Sequence, residues 1–234
     1  MAKLALAHTF ICIGAVSFAA LTLSASAPDD EGMISFRPNG ALATRRSVAL
    51  RIDPDPARLT TIFSNFGKRH HLYEDHVAWD VAGPNSGVQE QWVAMPFTPI
   101  FDAEVTQISI AVEHNTGSPN SFVVSLNEDN GGQIPGRSIY SWIVRNAPKF
   151  GTCCLLDVVK DATGLHVNKG TQYWVVAKTN ASEKATRMEW DLSPRAIEGN
   201  FAFNNGQGWY EYTAFTSAFA VYGRKRYPRI QGRL

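Results

Sequence analysis

The stretch TQISIAVEH, residues 106–114, alternates apolar side chains with polar or small ones along most of its length. Ile108, Ile110 and Val112 share one face of an extended chain, and Ser109 and Ala111 share the other. A period of two residues is typical of a β-strand that buries one face. The stretch therefore predicts a strand whose branched apolar side chains face a core.

Similar short runs recur between residues 61 and 223, separated by Gly, Pro, Asn and Asp. The further runs are 76–82, 90–98, 121–128, 138–144, 153–159, 171–179, 187–192, 200–204 and 216–223. No window has the sustained three-and-four spacing of an amphipathic helix. About ten strands in one domain of this size predict an all-β fold, an antiparallel two-sheet sandwich that is jelly-roll-like.

The first 27 residues have the pattern of a secretory signal peptide. Lys3 precedes an apolar run at 10–23, and the small residues ASA end at Ala27. A retained membrane anchor is the alternative, but the run is shorter than the roughly 20 residues that span a bilayer. We therefore expect cleavage after Ala27, export to the periplasm or the extracellular space, and no transmembrane segment in the mature chain. Residues 28–60, with prolines and charges and little periodicity, predict an extended or poorly ordered leader.

Charge is distributed unevenly along the mature chain. Residues 61–223 hold 11 basic and 16 acidic side chains, whereas the tail 224–234 holds five basic side chains and no acid. A domain with excess acid argues against nucleic acid as a partner. The basic tail is predicted to be a solvated end, with contact to an anionic surface as the alternative.

Two of the three cysteines remain once the signal peptide, which contains Cys12, is removed. Cys153 and Cys154 are neighbours and cannot join distant segments to each other. Three states are open to them: a vicinal disulfide, two free thiols, or bonds to another chain. Two cysteines are too few for a structural zinc site.

The stretch SLNEDNGGQIPGRSIYSW, residues 125–142, resembles a calcium loop at first inspection because carboxylates and amides cluster in it. An EF-type loop that started at Asn127 would need ligands at its fifth and twelfth positions, which are Gly131 and Ser138. Both positions lack the required oxygen ligand. The glycines, with Pro135 and the glycine after it, instead predict a turn between two strands.

This turn and the strands after it carry a family resemblance. The succession FVVSLNEDNGGQIPG, FGTCCLLDV, KGTQYWVVAKT and FAFNNGQGWYEY is similar to secreted bacterial β-sandwich domains of the choice-of-anchor kind. The resemblance covers residues 61–223 and implies an exported, non-catalytic module. The chain departs from the pattern by an extra residue, Ile134, in the turn and by a basic end in place of a membrane-sorting tail.

A cluster of histidines and acids in KRHHLYEDHVAWD, residues 68–80, is the one candidate for a metal site. Imidazole and carboxylate ligands suit a divalent metal, and the cluster's members are His70, His71, Glu74, Asp75 and His76. Adjacent histidines diverge on an extended chain, so we interpret the cluster as an exposed loop. His70, His76 and Glu74 remain weak candidates, and no metal or other cofactor is predicted.

The sequence contains no pattern that identifies residues for hydrolysis. No serine lies in a Gly-x-Ser-x-Gly elbow. Two carboxylate pairs, Glu189 with Asp191 and Glu128 with Asp129, have the residue types of a glycosidase site. We predict that these pairs are solvated charges, so the sequence favours a non-catalytic protein over an enzyme.

An aromatic segment follows a glycine-rich loop near the C-terminus. Most of the six tryptophans lie within strand patterns and are expected to pack between the sheets. In NNGQGWYEY, residues 204–212, three rings follow a glycine-rich loop with amide side chains, and the candidate ligand-binding residues are Asn205, Gln207, Trp209, Tyr210 and Tyr212. Flat rings stack on the apolar faces of sugars while amides bond their hydroxyls. The alternative is a hairpin whose rings cover an edge of the sandwich.

The sequence as a whole predicts an exported, non-catalytic module that binds carbohydrate or a cell-envelope polymer. One alternative is a structural surface or matrix protein without a small ligand. The other is a metal-dependent extracellular hydrolase that uses the histidine cluster. The oligomeric state stays open.

Overall fold

The protein was examined as a computed structural model, which describes residues 34–36, 59–68, 71–152, 155–158, 164–194 and 197–227. Within these ranges the chain forms strands and connecting loops, and it contains no helix. All strand pairs are antiparallel, and the strands form two sheets. The predicted all-β, two-sheet sandwich is confirmed. The predicted signal peptide lies outside the described residues, as do Cys153 and Cys154.

The described part of the chain has fourteen strands where the sequence predicted about ten. Their bounds are β1 Ile34–Phe36, β2 Thr60–Ser64, β3 Glu74–Ala82, β4 Trp92–Phe97, β5 Ala103–Thr116, β6 Ser121–Asp129, β7 Pro135–Arg145, β8 Leu155–Asp157, β9 His166–Val167, β10 Tyr173–Lys178, β11 Arg187–Leu192, β12 Glu198–Asn204, β13 Trp209–Phe215 and β14 Phe219–Lys225.

Four strands were not predicted: β1, β2, β9 and β13. The first three have two to five residues, which is too short for an alternation to be recognised. β1 and the first residue of β2 lie within the predicted leader, and β1 pairs with β3. β13 has seven residues and forms a hairpin with β12, as in the alternative interpretation of this segment.

The larger sheet has eight strands in the order β1-β3-β11-β5-β14-β2, with β8 and β9 also paired to β5. Its central strand, β5, is 14 residues long, and β14 and β11 pair with successive parts of it. The smaller sheet has six strands in the order β13-β12-β4-β10-β6-β7. From β3 to β6, consecutive strands belong alternately to the larger and the smaller sheet. The apolar side chains on the inner faces of both sheets pack in one core.

The core lies between the inner faces of the two sheets. It includes the predicted Ile108, Ile110 and Val112, all fully buried. Trp79 and Trp190 are also buried there, and each indole N–H donates to a backbone carbonyl, at 2.8 and 2.9 Å. Each large apolar side chain buried in this way stabilises the fold by about 1.5–3 kcal/mol.

Candidate functional site

The stretch that resembled a calcium loop is the connection between β6 and β7. Asp129 ends β6, and both of its carboxylate oxygens accept hydrogen bonds from the protein. Oδ1 accepts from Trp174 Nε1 at 2.8 Å and from Gln172 Nε2 at 3.0 Å, and Oδ2 accepts from the backbone N–H of Gly131 at 2.9 Å. Gly131 has φ +83°, which favours glycine. Asp129 therefore orders the turn and fixes it to β10.

The same connection lies across the outer face of the six-stranded sheet. Ile134 packs against buried residues of that face, and Gln133 Oε1 accepts a hydrogen bond from Asn200 Nδ2 of β12 at 2.9 Å. Ala94 and Ala202 supply small side chains beneath it. The connection is thus more than a strand reversal, because it contributes to the surface on this side of the sandwich.

The glycine-rich loop is the tight turn between β12 and β13. Asn204 Oδ1 accepts hydrogen bonds from Gly206 N at 2.8 Å and from Gly208 N at 3.3 Å. Asn205 Oδ1 accepts from Gln207 N at 3.3 Å. Of the two amides predicted to bond sugar hydroxyls, Asn205 therefore stabilises the turn itself, while the Gln207 side chain is exposed. Asn204, which was not a predicted site residue, makes the other two hydrogen bonds.

The three predicted aromatic residues lie on opposite faces of β13. Trp209 pairs with Asn204, Tyr210 with Phe203 and Tyr212 with Phe201. Because directly paired residues share a face, Trp209 points outward, whereas both tyrosines share the inner face with the phenylalanines. Tyr210 stacks on Phe203 with centroids 5.6 Å apart, and Tyr212 packs against the core. The structure does not bring the three rings together.

Trp209 instead lies beside a tryptophan that was not a predicted site residue. Its ring centroid is 6.4 Å from that of Trp92 on β4. Trp92 Nε1 donates to Thr179 Oγ1 at 3.3 Å, and Lys178 Nζ lies 5.7 Å from the Trp92 centroid. The sequence contained a signal for this position, because Trp92 is out of phase with the buried residues Val93, Met95 and Phe97 of the same strand.

We call this surface the outer aromatic face. Its exposed part consists of Trp92 and Trp209, which are both partly exposed. Trp209 packs against a buried cluster formed by Ala94, Trp174, Val176 and Ala202. A chain of hydrogen bonds runs beside it: Asn200 Nδ2 donates to Glu211 Oε1 at 2.7 Å, and Thr213 Oγ1 donates to Asn200 Oδ1 at 2.8 Å. The arrangement offers apolar rings next to exposed polar groups.

The outer face of the eight-stranded sheet contains buried acids. Asp80 pairs with Glu189 and Glu189 with Glu113 across three adjacent strands, and Asp191 follows on β11. All four are at most 2% exposed. The prediction that Glu189 and Asp191 are solvated charges is wrong, because loops cover this face of the sheet.

Protein groups donate hydrogen bonds to three of these carboxylates, those of Asp80, Glu113 and Glu189. Arg187 donates to both oxygens of Asp80, at 2.9 and 3.1 Å, and Gly151 N donates to Glu113 Oε2 at 2.8 Å. Asn115 Nδ2 donates to Glu189 Oε1. In the second predicted pair, Glu128 binds Arg137 on the surface. The hydrogen bond from Arg137, together with its charge, lowers the pKa of the Glu128 carboxyl.

The histidine cluster does not converge on one point. His71 Nε2 contacts Glu74 Oε1 at 2.9 Å, His76 Nε2 contacts Asp75 Oδ1 at 3.3 Å, and both histidines are exposed. His70 lies outside the described residues. Among the residues that the structure places, no group of three or more His, Cys, Asp and Glu side chains is arranged to hold a metal ion.

No helix in the described ranges is long and apolar enough to cross a membrane. Comparisons of the chain with protein-family models, with curated proteins and with solved structures found no match.

Proposed function

We propose that the chain is an exported, non-catalytic β-sandwich module of the choice-of-anchor kind that binds carbohydrate or a cell-envelope polymer through the outer aromatic face. The observation that carries the proposal is the position of Trp209, partly exposed on an ordered sheet face and 6.4 Å from Trp92. Strand pairing fixes the backbone of both residues, so the rings require little ordering when a ligand binds.

The chemistry of a sugar ring suits this surface. One side of a pyranose presents C–H groups that pack on an aromatic face, and its edge presents hydroxyls that need hydrogen-bond partners. Beside Trp209 the exposed side chains of Asn200, Glu211 and Thr213 offer amide, carboxylate and hydroxyl groups. A polymer that ran along β13 would contact the Trp209 ring and this polar row together.

The proposal leaves the predicted tyrosines with a different role. Tyr212 supports the fold from the inner face, where it lies 5.6 Å from Phe201 and 6.5 Å from Trp79 between ring centroids. Tyr210 covers the edge of the sandwich. Tyr210 is 45% exposed but lies on the opposite face of β13. Of the three predicted rings, Trp209 is therefore the one on the outer face, where it lies beside Trp92.

A pull-down with insoluble polysaccharides tests the proposal. Cellulose, chitin, xylan and purified peptidoglycan would be incubated with the mature protein and with its Trp209→Ala and Trp209→Phe variants. We expect Trp209→Ala to weaken binding on the order of tenfold, the factor for about 1.4 kcal/mol of lost apolar contact, and Trp209→Phe to weaken it less. Equal binding by all three proteins, or no binding to any of the polymers, would contradict the proposal.

A further inference from the structure

A basic and apolar surface lies where β14 ends. We call it the basic end, and it consists of Ile100, Phe101, Arg224, Lys225, Arg226 and Tyr227. Ile100 is 71% exposed and Tyr227 is 77% exposed, the highest values among the large apolar side chains that the structure describes. The basic side chains of Arg224 and Lys225, at the end of β14, and of Arg226, which follows it, are exposed as well. An exposed apolar group next to several cations marks a surface for interaction rather than for packing.

Backbone pairing holds the two segments of the basic end together. Lys225 pairs with Ala103 in the sheet, and the N–H of Arg226 donates to the carbonyl of Asp102 at 2.8 Å. Lys225 Nζ lies 5.4 Å from the Phe101 ring centroid and 5.8 Å from the Tyr227 ring centroid. A cation therefore lies near two rings on an ordered strand end, and the surface does not depend on a flexible loop.

The charges at this end are predominantly positive. Lys169 adds a fourth exposed cation close by, since its backbone N–H donates to Asp102 Oδ1 at 2.8 Å. The acids here are Asp102 and Glu104, and the Glu104 carboxylate accepts the backbone N–H of Gly164 at 2.9 Å. Beyond Tyr227 the sequence continues with Arg229 and Arg233 and has no acid. The positive charge contrasts with the acidic excess of residues 61–223.

We propose that the basic end binds the surface of a bilayer that contains anionic phospholipids. The cations would lie at the headgroup phosphates, while the side chains of Ile100 and Tyr227 enter the boundary between headgroups and acyl chains. Lys and Arg side chains near an anionic leaflet attract it strongly, and aromatic rings favour the same depth. The surface is separate from the outer aromatic face, so it does not rest on the proposed carbohydrate function.

A soluble polyanion would satisfy the cations, and a sugar polymer could also stack on the Tyr227 ring, but neither would bury the aliphatic side chain of Ile100. A bilayer removes the apolar area of both exposed side chains from water. This difference favours a membrane over an acidic polysaccharide and provides the basis for separating the two experimentally.

Vesicle co-sedimentation of the full mature chain tests the proposal. One vesicle type would contain phosphatidylglycerol and phosphatidylcholine in about a one-to-three ratio, and the other phosphatidylcholine alone. We expect binding to the anionic vesicles only. It should weaken as salt is raised, because the Debye length falls from about 30 Å at 0.01 M to about 3 Å at 1 M.

Two variants separate the contributions of charge and apolar contact. Replacing the three cations of residues 224–226 with Gln should weaken binding on the order of 100-fold, since each basic side chain contributes about a fivefold factor. Replacing Ile100 and Tyr227 with Ser should weaken it on the order of tenfold. Two matched controls change exposed residues elsewhere and should bind as wild type does. The control for charge combines Arg145→Gln, Lys149→Gln and Lys184→Gln, and the control for apolar contact is Ile143→Ser.

Several results would overturn the proposal. Absence of binding to anionic vesicles, equal binding to both vesicle types, or control variants as weak as the charge variant would each do so. Dextran sulfate is the polyanion probe. If it binds the protein as tightly as the vesicles do, and the Ile100 and Tyr227 changes leave vesicle binding intact, the partner is a soluble polyanion and the membrane proposal is wrong.

Discussion

Asp129 is the residue on which the outer aromatic face depends most directly. Its carboxylate accepts the indole N–H of Trp174, which is fully buried, and also bonds Gln172 and Gly131. Without the carboxylate a buried indole N–H would have no acceptor at this position, and such a loss costs free energy on the scale of a hydrogen bond or more. One side chain therefore joins the β6–β7 connection to the sheet beneath it.

Asp129→Ala should lower the free energy of unfolding by about 2 kcal/mol, because it leaves the Trp174 N–H unsatisfied and removes the turn's hydrogen bond. Urea denaturation followed by tryptophan fluorescence measures the change. The adjacent exposed carboxylate provides the control: Glu128→Ala breaks only a surface ion pair and should cost less. Equal losses of unfolding free energy in the two variants would contradict a specific contribution of the buried hydrogen bonds to stability.

Tyr222 links stability to alkaline pH. Burial raises the pKa of its phenol above the ordinary value, and the negative charge of Asp157 raises it further. The folded state therefore holds the proton more tightly than the unfolded chain. The stabilisation is present below a pH of about 10, the pKa of an unperturbed tyrosine, and is lost as the pH rises through the folded-state pKa.

Above pH 10, wild type should thus lose free energy of unfolding relative to Tyr222→Phe, which has no phenolic proton. Denaturation of both proteins between about pH 8 and pH 11 measures the difference. We expect it to change only in the alkaline part of that range. Parallel curves throughout would contradict the assignment of this titration to Tyr222.

At the scale of elements, β13 shows which structural features the sequence predicts and which it does not. Its alternation is visible in the sequence, with Trp209, Glu211 and Thr213 on one face and Tyr210 and Tyr212 on the other. The glycines and amides before it predicted a loop, so the rings were grouped by proximity in sequence. Strand pairing separates them across the sheet, because neighbouring residues on a strand point in opposite directions.

The turn before β13 favours glycine because Gly206 has φ +88°. A Cβ there would lie 2.8 Å from Glu90 Oε2, the end of a flexible side chain that can move aside. Gly206→Ala should lower the free energy of unfolding by about 1–2 kcal/mol, as expected for a left-handed residue. Gly87→Ala is the matched comparison, since Gly87 has φ +89° with no atom near the added Cβ. Thermal denaturation should give similar losses for the two variants, and an unchanged stability of Gly206→Ala would contradict the left-handed conformation of the turn.

At the scale of the whole molecule, the sandwich could be predicted because its signal is local. Each run of alternating residues predicts one strand, and several such runs in succession leave few alternatives to two packed sheets. The coverage of the outer faces could not be predicted in this way. Ile134 packs on the outer face of the smaller sheet, and Glu189 and Asp191 are buried on the larger one. Both features depend on contacts between segments that are distant in sequence, about which period-two alternation contains no information.

The same limit applies to the candidate site. Trp209 was identified from its neighbours in the sequence, whereas Trp92 belongs to the outer aromatic face through pairing of β4 with β12 and of β12 with β13. Strand pairing thus builds the outer aromatic face as an ordered surface on the smaller sheet. This surface and the Tyr210 ring lie on opposite faces of β13, so substitutions of Trp209 and of Tyr210 can be compared directly.

A glycan array probed with wild type, Trp209→Ala and Tyr210→Ala provides that test. Both variants remove a partly exposed ring from the same strand, but only Trp209 faces outward beside Trp92. We predict that Tyr210→Ala keeps the wild-type binding pattern and that Trp209→Ala loses it. Retention of binding by Trp209→Ala with its loss in Tyr210→Ala, or an array on which wild type binds nothing, would contradict carbohydrate recognition by the outer aromatic face.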